Sequence, residues 1–537
     1  MAFINNLKRL KRRRKDRNRD GDGQKTSADS SQNLYLDTDI ESNLKYLKEI
    51  FQGCSDVVFR EFLFAQKEQI KLVLIYIDGM TSKSQVSDQI MRALALEVPM
   101  AADKDLITKT NALHFIKMRG LCVHQVNETQ KVEDVVDAVL SGDTVLLVDG
   151  HATALINGSR GWESRSIEES PTEGVVRGPR ESFVETIRTN TSLIRRKIKS
   201  PSLKIEMLKL GEVTKTDIAL VYIKGIVNEG LVKEVKKRIS GIKIDGVLES
   251  GYIEELIADS PYSPFPTVSH TERPDRVAAY LLEGRVAILV DGTPIVLLVP
   301  SFFVETIQTP DDYYERSPIV APVRLLRLFA LVIVLTLPSL YIAIVSYHQE
   351  MLPTPLLLSI AAQREAVPFP VFVETLLMEV AFEIIREAGI RLPRSVGQAV
   401  SIVAALIVGE AAVRAGMVAA STVIVVALTA MTSFTVYYYA SMSLRLLRFP
   451  MMGLAASLGL FGLIVGIIVI VVHLASLRSF GVPYLAPFAP VIPGDLKDTL
   501  VRVPWWSMRR RPLFAGQNNP QREVSEMKPK PPQPRKR

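Results

Sequence analysis

Between residues 326 and 493 the chain is too apolar to form the core of a soluble domain. Residues 326–345 read LRLFALVIVLTLPSLYIAIV, and residues 453–476 read GLAASLGLFGLIVGIIVIVVHLAS. A helix of about 18 or more apolar residues crosses the ~30 Å hydrocarbon layer of a bilayer. Residues 396–409 and 417–440 qualify or nearly do. Several such runs in the last third of a chain predict an integral membrane protein with a large polar N-terminal part.

That polar part repeats itself. LVLIYIDG (residues 72–79) returns as IALVYIKG (residues 218–225), with Tyr76 and Tyr222 separated by 146 positions (222 − 76). VEDVVDAVLSGDTVLLVDG (residues 132–150) returns as PDRVAAYLLEGRVAILVDG (residues 274–292), with Asp149 and Asp291 separated by 142 (291 − 149). In each copy an amphipathic helix ends at a glycine, Gly142 or Gly284, suited to a left-handed C′ position. A strand then runs into Asp-Gly, a hairpin signal of type I′. FVETIRT (residues 183–189) is echoed by FVETIQT (residues 303–309), and residues 151–177 read as an insertion in the first copy. Ahead of both, residues 39–62 read as a helix with Leu44, Leu47, Ile50 and Phe51 on one face.

The expected fold class is an α/β tandem duplicated cytosolic domain followed by an α-helical polytopic membrane domain. The expected divisions are a basic disordered N-tail (1–34), α/β subdomains over 35–165 and 166–312, a transmembrane domain over 313–495 with about five spans plus a re-entrant segment, and a basic disordered C-tail (496–537). The formal charge of +8 is concentrated in those tails. Such runs bind nucleic acid in some proteins. Beside membrane spans they read instead as solvated segments near an anionic membrane face, and no nucleic-acid partner is expected. The N-terminus is basic without a following apolar region, so it does not read as a signal peptide. Cys54 and Cys122 are far apart, which fits a reducing compartment.

No phosphate-cradling GxxxxGK[ST] and no helix-opening GxGxxG occurs in this sequence, and the six histidines are scattered. A turn accounts for Asp149 and Asp291. We therefore expect no enzyme activity, no cofactor and no metal.

In the membrane block, Arg316, Arg324 and Arg327 precede or open the first span and suit a cytoplasmic entry. Pro338 is expected to kink that span. Residues 348–367 follow as an exterior or partly re-entrant segment. Residues 368–390, PFPVFVETLLMEVAFEIIREAGI, are apolar enough for a membrane yet hold Glu374, Glu379, Glu383, Arg386 and Glu387. Spacing by four stacks Glu379, Glu383 and Glu387 on one helix face. Carboxylates at membrane depth cost a few kcal/mol each, about 2.5–3.5 on insertion scales, and face water or a partner. An interfacial helix with its acids in water fits the same pattern, and best fits Glu387. Glu374, Glu379, Glu383 and Glu410 are the candidate ion-pathway residues. Arg445 and Arg448 read as a cytoplasmic loop. Residues 453–476 then run outward, with Gly462 and Gly466 at GxxxG spacing as candidate helix-packing positions. Residues 480–493 (FGVPYLAPFAPVIP) read as a broken, re-entrant half-helix.

Three stretches together resemble the GerA family of spore germination proteins, the A subunits of nutrient germinant receptors. They are GPRESFVETIRTNTSLIRRKIKSP (178–201), ERPDRVAAYLLEGRVAILVDGTP (272–294) and the run over 368–434. The resemblance implies a spore inner-membrane protein that acts with a transporter-like B subunit and a lipoprotein C subunit. It also implies homo-oligomers and an ion-conducting or gating role. Glu410 and Arg414 stand where the family pattern suggests an amide and an acid, and four residues apart they can pair. A related sporulation-stage paralog and a non-conducting scaffold fit the same residues. Oligomer contacts are assigned to the duplicated soluble part.

Overall fold

The computed structural model describes residues 34–64, 69–97, 108–120, 126–161, 173–392, 408–435, 438–516, 518–522 and 528–529. The chain divides into two compact units, Met1–Gln52 with Val57–Trp162, and Gly53–Asp56 with Glu163–Arg537.

The first unit is built on a five-stranded antiparallel sheet. Helix α1 (Ile40–Ile50) is followed by strands β1 (Val57–Phe64), β2 (Ile70–Ile77) and β3 (Val126–Thr129), helix α2 (Val132–Leu140), and strands β4 (Thr144–Val148) and β5 (Ala154–Asn157). Their spatial order is β1-β2-β4-β5-β3. The helix expected over 39–62 stops at Ile50. Gly53 follows with φ of 78°, a left-handed turn after which VVFREFLF, rich in β-branched and aromatic residues, pairs with β2.

The second unit repeats the plan. It contains α3 (Ile187–Lys197), β6 (Leu203–Leu210), β7 (Thr216–Ile223), α4 (Glu229–Gly241), α5 (Ser250–Ile257), β8 (Ser269–Thr271), α6 (Pro274–Glu283), β9 (Val286–Val290) and β10 (Val296–Val299). The order is β6-β7-β9-β10-β8. Leu72 faces Val148 and Ile218 faces Val290, the positions that the sequence echoes equate. The likeness extends to single hydrogen bonds. Asn43 accepts from Asp37 N at 2.9 Å and donates to Asp37 O at 2.7 Å. Asn190 holds Val184 N and O in the same way. Each asparagine thus satisfies both backbone groups of the residue leading into its helix, groups that would otherwise be orphaned. One face of this second sheet packs against α3 and α6, the other against α4 and α5.

Three local expectations change. Gly150 and Gly292 have φ of 84° and 90°, but neither preceding aspartate has positive φ. The turns are therefore not type I′, which needs both central residues there. The aspartates have other work. Asp291 accepts from Ile187 N at 3.0 Å, at the start of α3, and Asp149 pairs with Lys109 at 2.9 Å. Residues 151–177 are not simply an insertion, because β5 lies within them and pairs with β3 and β4; residues 162–172 lie outside the described residues. The two FVET strings fold differently, one leading into α3 and the other forming the 3-10 turn Phe303–Thr306. In the second, Glu305 turns back onto Phe302 N and Arg285.

A helical turn, Asp311–Tyr314, then leads into α7 (Ser317–Tyr347), which stays helical through Pro322 and Pro338. Next come α8 (Thr354–Arg364), α9 (Val371–Arg391) and α10 (Ala420–Ser433). The span expected over 396–409 lies almost wholly outside the described residues. The remaining helical run, Tyr438–Ser476, is two limbs, because Gly459 breaks it with φ 62° and ψ −141°. A Cβ on Gly462 would lie 2.1 Å from Leu454 O, and one on Gly466 would lie 2.4 Å from Met451 Sδ. Residues eight and fifteen positions apart touch only if the chain has doubled back. Limbs α11a (438–458) and α11b (460–476) therefore form an antiparallel hairpin. Among the described residues, two helical stretches, Ser317–Tyr347 and Met442–Ser476, have the length and apolar composition of a membrane span, and the second is the one folded at Gly459.

This hairpin corrects the expected path. Arg445 and Arg448 lie within α11a rather than in a loop, and residues 460–476 are the returning limb. Residues 480–493 instead begin in a small hairpin, Arg478–Ser479 with Val482–Pro483. Phe480 fills the core between the second sheet and α4 and α5. Ser479 Oγ accepts from Ser301 N at 2.9 Å and donates to Thr267 O at 2.6 Å. Asp259 accepts from Phe480 N, and Tyr484 O accepts from Phe303 N at 2.9 Å, so protein groups satisfy part of a Pro-rich backbone that lipid could not.

The expected disordered C-tail is also corrected as far as it is described. Asp498 accepts from Arg324 at 3.0 Å and from Tyr313 at 2.8 Å, and Arg502 donates to Glu315 O at 2.6 Å. Arg324 is fully buried and also bonds Asp312 at 3.0 Å. Arg327 bonds the same carboxylate at 2.7 Å. Two of the three arginines that suggested a cytoplasmic entry are therefore neutralised inside the protein. The N-tail, residues 1–33, and residues 530–537 lie outside the described residues.

Candidate functional site

The helical bundle holds a layer of charge. Helix α9 starts at Pro370, whose fixed φ suits a helix entry, and its apolar positions carry Val371 into a cluster with Ile342, Ala343, Met452 and Ala455. That packing turns its acidic edge toward α10 and α11a.

Glu374 is completely buried. It accepts from Ala419 N at 2.6 Å and from the Thr422 hydroxyl. Helix α10 has alanine at its N-cap and no side-chain cap of its own, so Glu374 serves as that cap from a neighbouring helix. A carboxylate suits the positive end of the α10 dipole. Arg364 stands 3.6 Å from the other carboxylate oxygen.

One and two turns further on, Glu379 and Glu383 meet α11a. Arg448 Nη2 lies 3.0 Å from each of them. Glu383 also pairs with Arg386 at 2.5 Å and Arg445 at 3.5 Å. Exposure rises along the ladder: the side chain of Glu379 is 1% exposed, Glu383 26% and Glu387 60%. Among the described residues Glu387 pairs only across its own helix turn, with Arg391 at 2.6 Å. The pair Arg448 and Glu379 is nearly sealed, yet Arg448 Nε and Glu379 Oε1 have no hydrogen-bond partner among the described residues. On α7, buried Ser339 Oγ likewise has no partner among the described residues.

Of the four sequence-derived pathway candidates, Glu379 and Glu383 come together on one helix edge against α11a, while Glu374, about 180° round the helix from Glu383, faces α10. Glu410 does not join them: it is exposed and pairs with Arg414 one turn on. Gly462 and Gly466 lie in the hairpin seam, opposite Leu454 and Met451 of the same chain. The sequence reading missed Arg445 and Arg448. Their signal was a three-residue spacing inside an apolar run, matching the four-residue spacing of Glu379 and Glu383.

Around this layer the bundle exposes apolar side chains, among them Leu326, Phe329, Phe461 and Val472, each more than 60% exposed. A contiguous apolar belt on a folded protein marks a membrane or protein contact. An apolar-belted helical bundle with an internal ion-paired layer, preceded by two sheets of like order, is the class of protein seen here. The family model described as Bacillus/Clostridium GerA spore germination protein matches residues 45–514, and the chain belongs to that family. It is 46% identical over 499 residues to spore germination protein KA of Bacillus subtilis (strain 168), covering 93% of this chain and 90% of that one. It is 42% identical over 503 residues to the uncharacterized membrane protein YfkQ of the same organism, covering 94% and 96%. The crystal structure of the N-terminal domain of the A subunit of the Bacillus megaterium spore germinant receptor GerK3 matches with 36% identity. That match covers 50% of this chain and 98% of that domain, at a TM-score of 0.39.

Proposed function

We propose that this chain is the membrane-embedded A subunit of a spore germinant receptor, in which the helical bundle forms an oligomeric ion-conducting or gating element. The observation that carries the reading is the Glu379–Arg448–Glu383 layer between α9 and α11a. Buried ion pairs contribute little net stability, because desolvation offsets their attraction, and charge at membrane depth is usually functional. In the paired state the arginines neutralise the acids. Separating α9 from α11a would bare carboxylates that attract cations. On this reading the layer is a latch as much as a path. The protein would sit in the spore inner membrane with both termini and the α/β part on the cytoplasmic side, beside the transporter-like B and lipoprotein C subunits.

The test is potassium release from spores given candidate nutrients, comparing the parent protein with Glu379→Gln and Glu383→Gln at equal abundance. Altered rate or ion preference is expected. Unchanged release at matched abundance would favour a scaffold that assembles the receptor while ions pass elsewhere. Oligomer contacts are assigned to the soluble part. Residues 33–310 produced alone should self-associate, and a fully folded monomer at high concentration in analytical ultracentrifugation would sink that assignment.

A further inference from the structure

The loop after α5 holds an exposed tyrosine that none of the described residues covers. Tyr262 is 100% exposed. The residues following it are fastened to the base of the helical hairpin. Ser263 Oγ bonds His473 Nε2 at 2.9 Å, Pro264 O accepts from Ser443, and Phe265 packs among Leu444, Leu474 and Leu477. Tyr262 therefore stands at the level where α11a begins and α11b ends. On α11a at that level Met442 and Leu446 are 67% and 63% exposed. Directly after α11b, Arg478 is exposed and has no ion-pair partner among the described residues. The segment bearing Arg478 is tied to the same loop, since Ser479 bonds Thr267 O and Asp259 accepts from Phe480 N. On α5, Tyr252 and Leu256 are exposed on one face, four residues apart.

Aromatic side chains with one polar end settle at the boundary between headgroups and acyl chains, and an adjacent cation pairs with lipid phosphate. We propose that Tyr262 and Arg478 form an interfacial anchor that binds the phospholipid headgroup layer and holds the second α/β subdomain against the membrane surface. The proposal rests on the reading of α7 and the α11 hairpin as membrane helices. Two features argue for lipid. The exposed, apolar Met442 and Leu446 continue the patch, and Arg478 supplies a charge complementary to phosphate.

The experiment uses the full chain with Cys54→Ala and Cys122→Ser, and a single new cysteine at position 262 (Tyr262→Cys) carrying an environment-sensitive NBD dye. A control cysteine replaces Val213, which is 78% exposed beside the β6–β7 turn. Both proteins are reconstituted in phosphatidylcholine/phosphatidylglycerol vesicles. At 262, blue-shifted emission quenched several-fold more by headgroup-spin-labelled lipid than at 213 is expected. Arg478→Glu should reduce that quenching in both lipids, and more in vesicles containing phosphatidylglycerol than in pure phosphatidylcholine, where the choline cation offsets the phosphate. If the protein floats with vesicles but position 262 emits as position 213 does, the anchor is wrong and the membrane reading stands. Blue-shifted emission without lipid quenching, lost on dilution into excess lipid, assigns the patch to a second copy and overturns the proposal. Failure to float overturns the membrane reading and the anchor together.

Discussion

Gly459→Ala should destabilise the protein by about 2 kcal/mol or more, whereas Gly453→Ala on the same limb should be neutral or slightly stabilising. At Gly459 the backbone sits at φ 62° and ψ −141°, a region close to glycine-only where a side chain costs about 1–3 kcal/mol. The added Cβ would also lie 2.8 Å from His348 Cε1 and 3.1 Å from Tyr347 Cβ. Both neighbours belong to the far end of α7, so relief would require that end to move. Gly453 has nothing within 4 Å of its would-be Cβ, and alanine is better than glycine in a helix by about 1 kcal/mol. Thermal unfolding of the purified protein in detergent compares the two. Equal melting temperatures would mean that the chain runs straight through position 459, and the hairpin would be wrong.

Arg448→Met should cost about 3–5 kcal/mol, the range for removing one partner of a buried ion pair. Glu379 has Arg448 as its sole ion-pair partner among the described residues, while Glu383 retains Arg386 and Arg445. The damage should therefore fall on Glu379, and adding Glu379→Gln to Arg448→Met should recover a large part of the loss. The same addition of Glu383→Gln should recover much less. A double-mutant cycle read by unfolding separates the two couplings. A cost near zero for Arg448→Met, or equal rescue by both glutamines, would show that the layer is not arranged as described.

The two-sheet plan was legible because repeats within one chain report on each other: two strings ending in Asp-Gly announced two equivalent strand pairs. What the aspartates do was not legible, since Asp291 serves a helix whose start lies about a hundred positions earlier. The acidic edge of α9 was visible as a spacing, but its partners were not. A charge judged alone inside an apolar run looks like the end of a span, and so Arg445 and Arg448 were read as a loop. Once Glu379 and Glu383 are placed opposite, the same residues belong inside a helix. The hairpin tip was hidden for a related reason. Two apolar limbs that pack against each other need no polar loop between them, and one glycine suffices. The Pro-rich run over 480–493 reads as a broken membrane segment because apolar residues that fill a protein interior, Phe480 against the second sheet and Tyr484 among residues of α7 and α11, look the same in sequence as ones that face lipid.

Helix α9 is fastened near its start to α10, through the cap that Glu374 supplies, and further along to α11a, through Glu379 and Glu383. It is a crossbar held by two bolts on different posts. Because a helix turns as a unit, rotating it by one residue (~100°) withdraws both bolts in a single movement. Losses at the two ends should then be felt jointly, since neither neighbour can give up its partner while the other keeps its own.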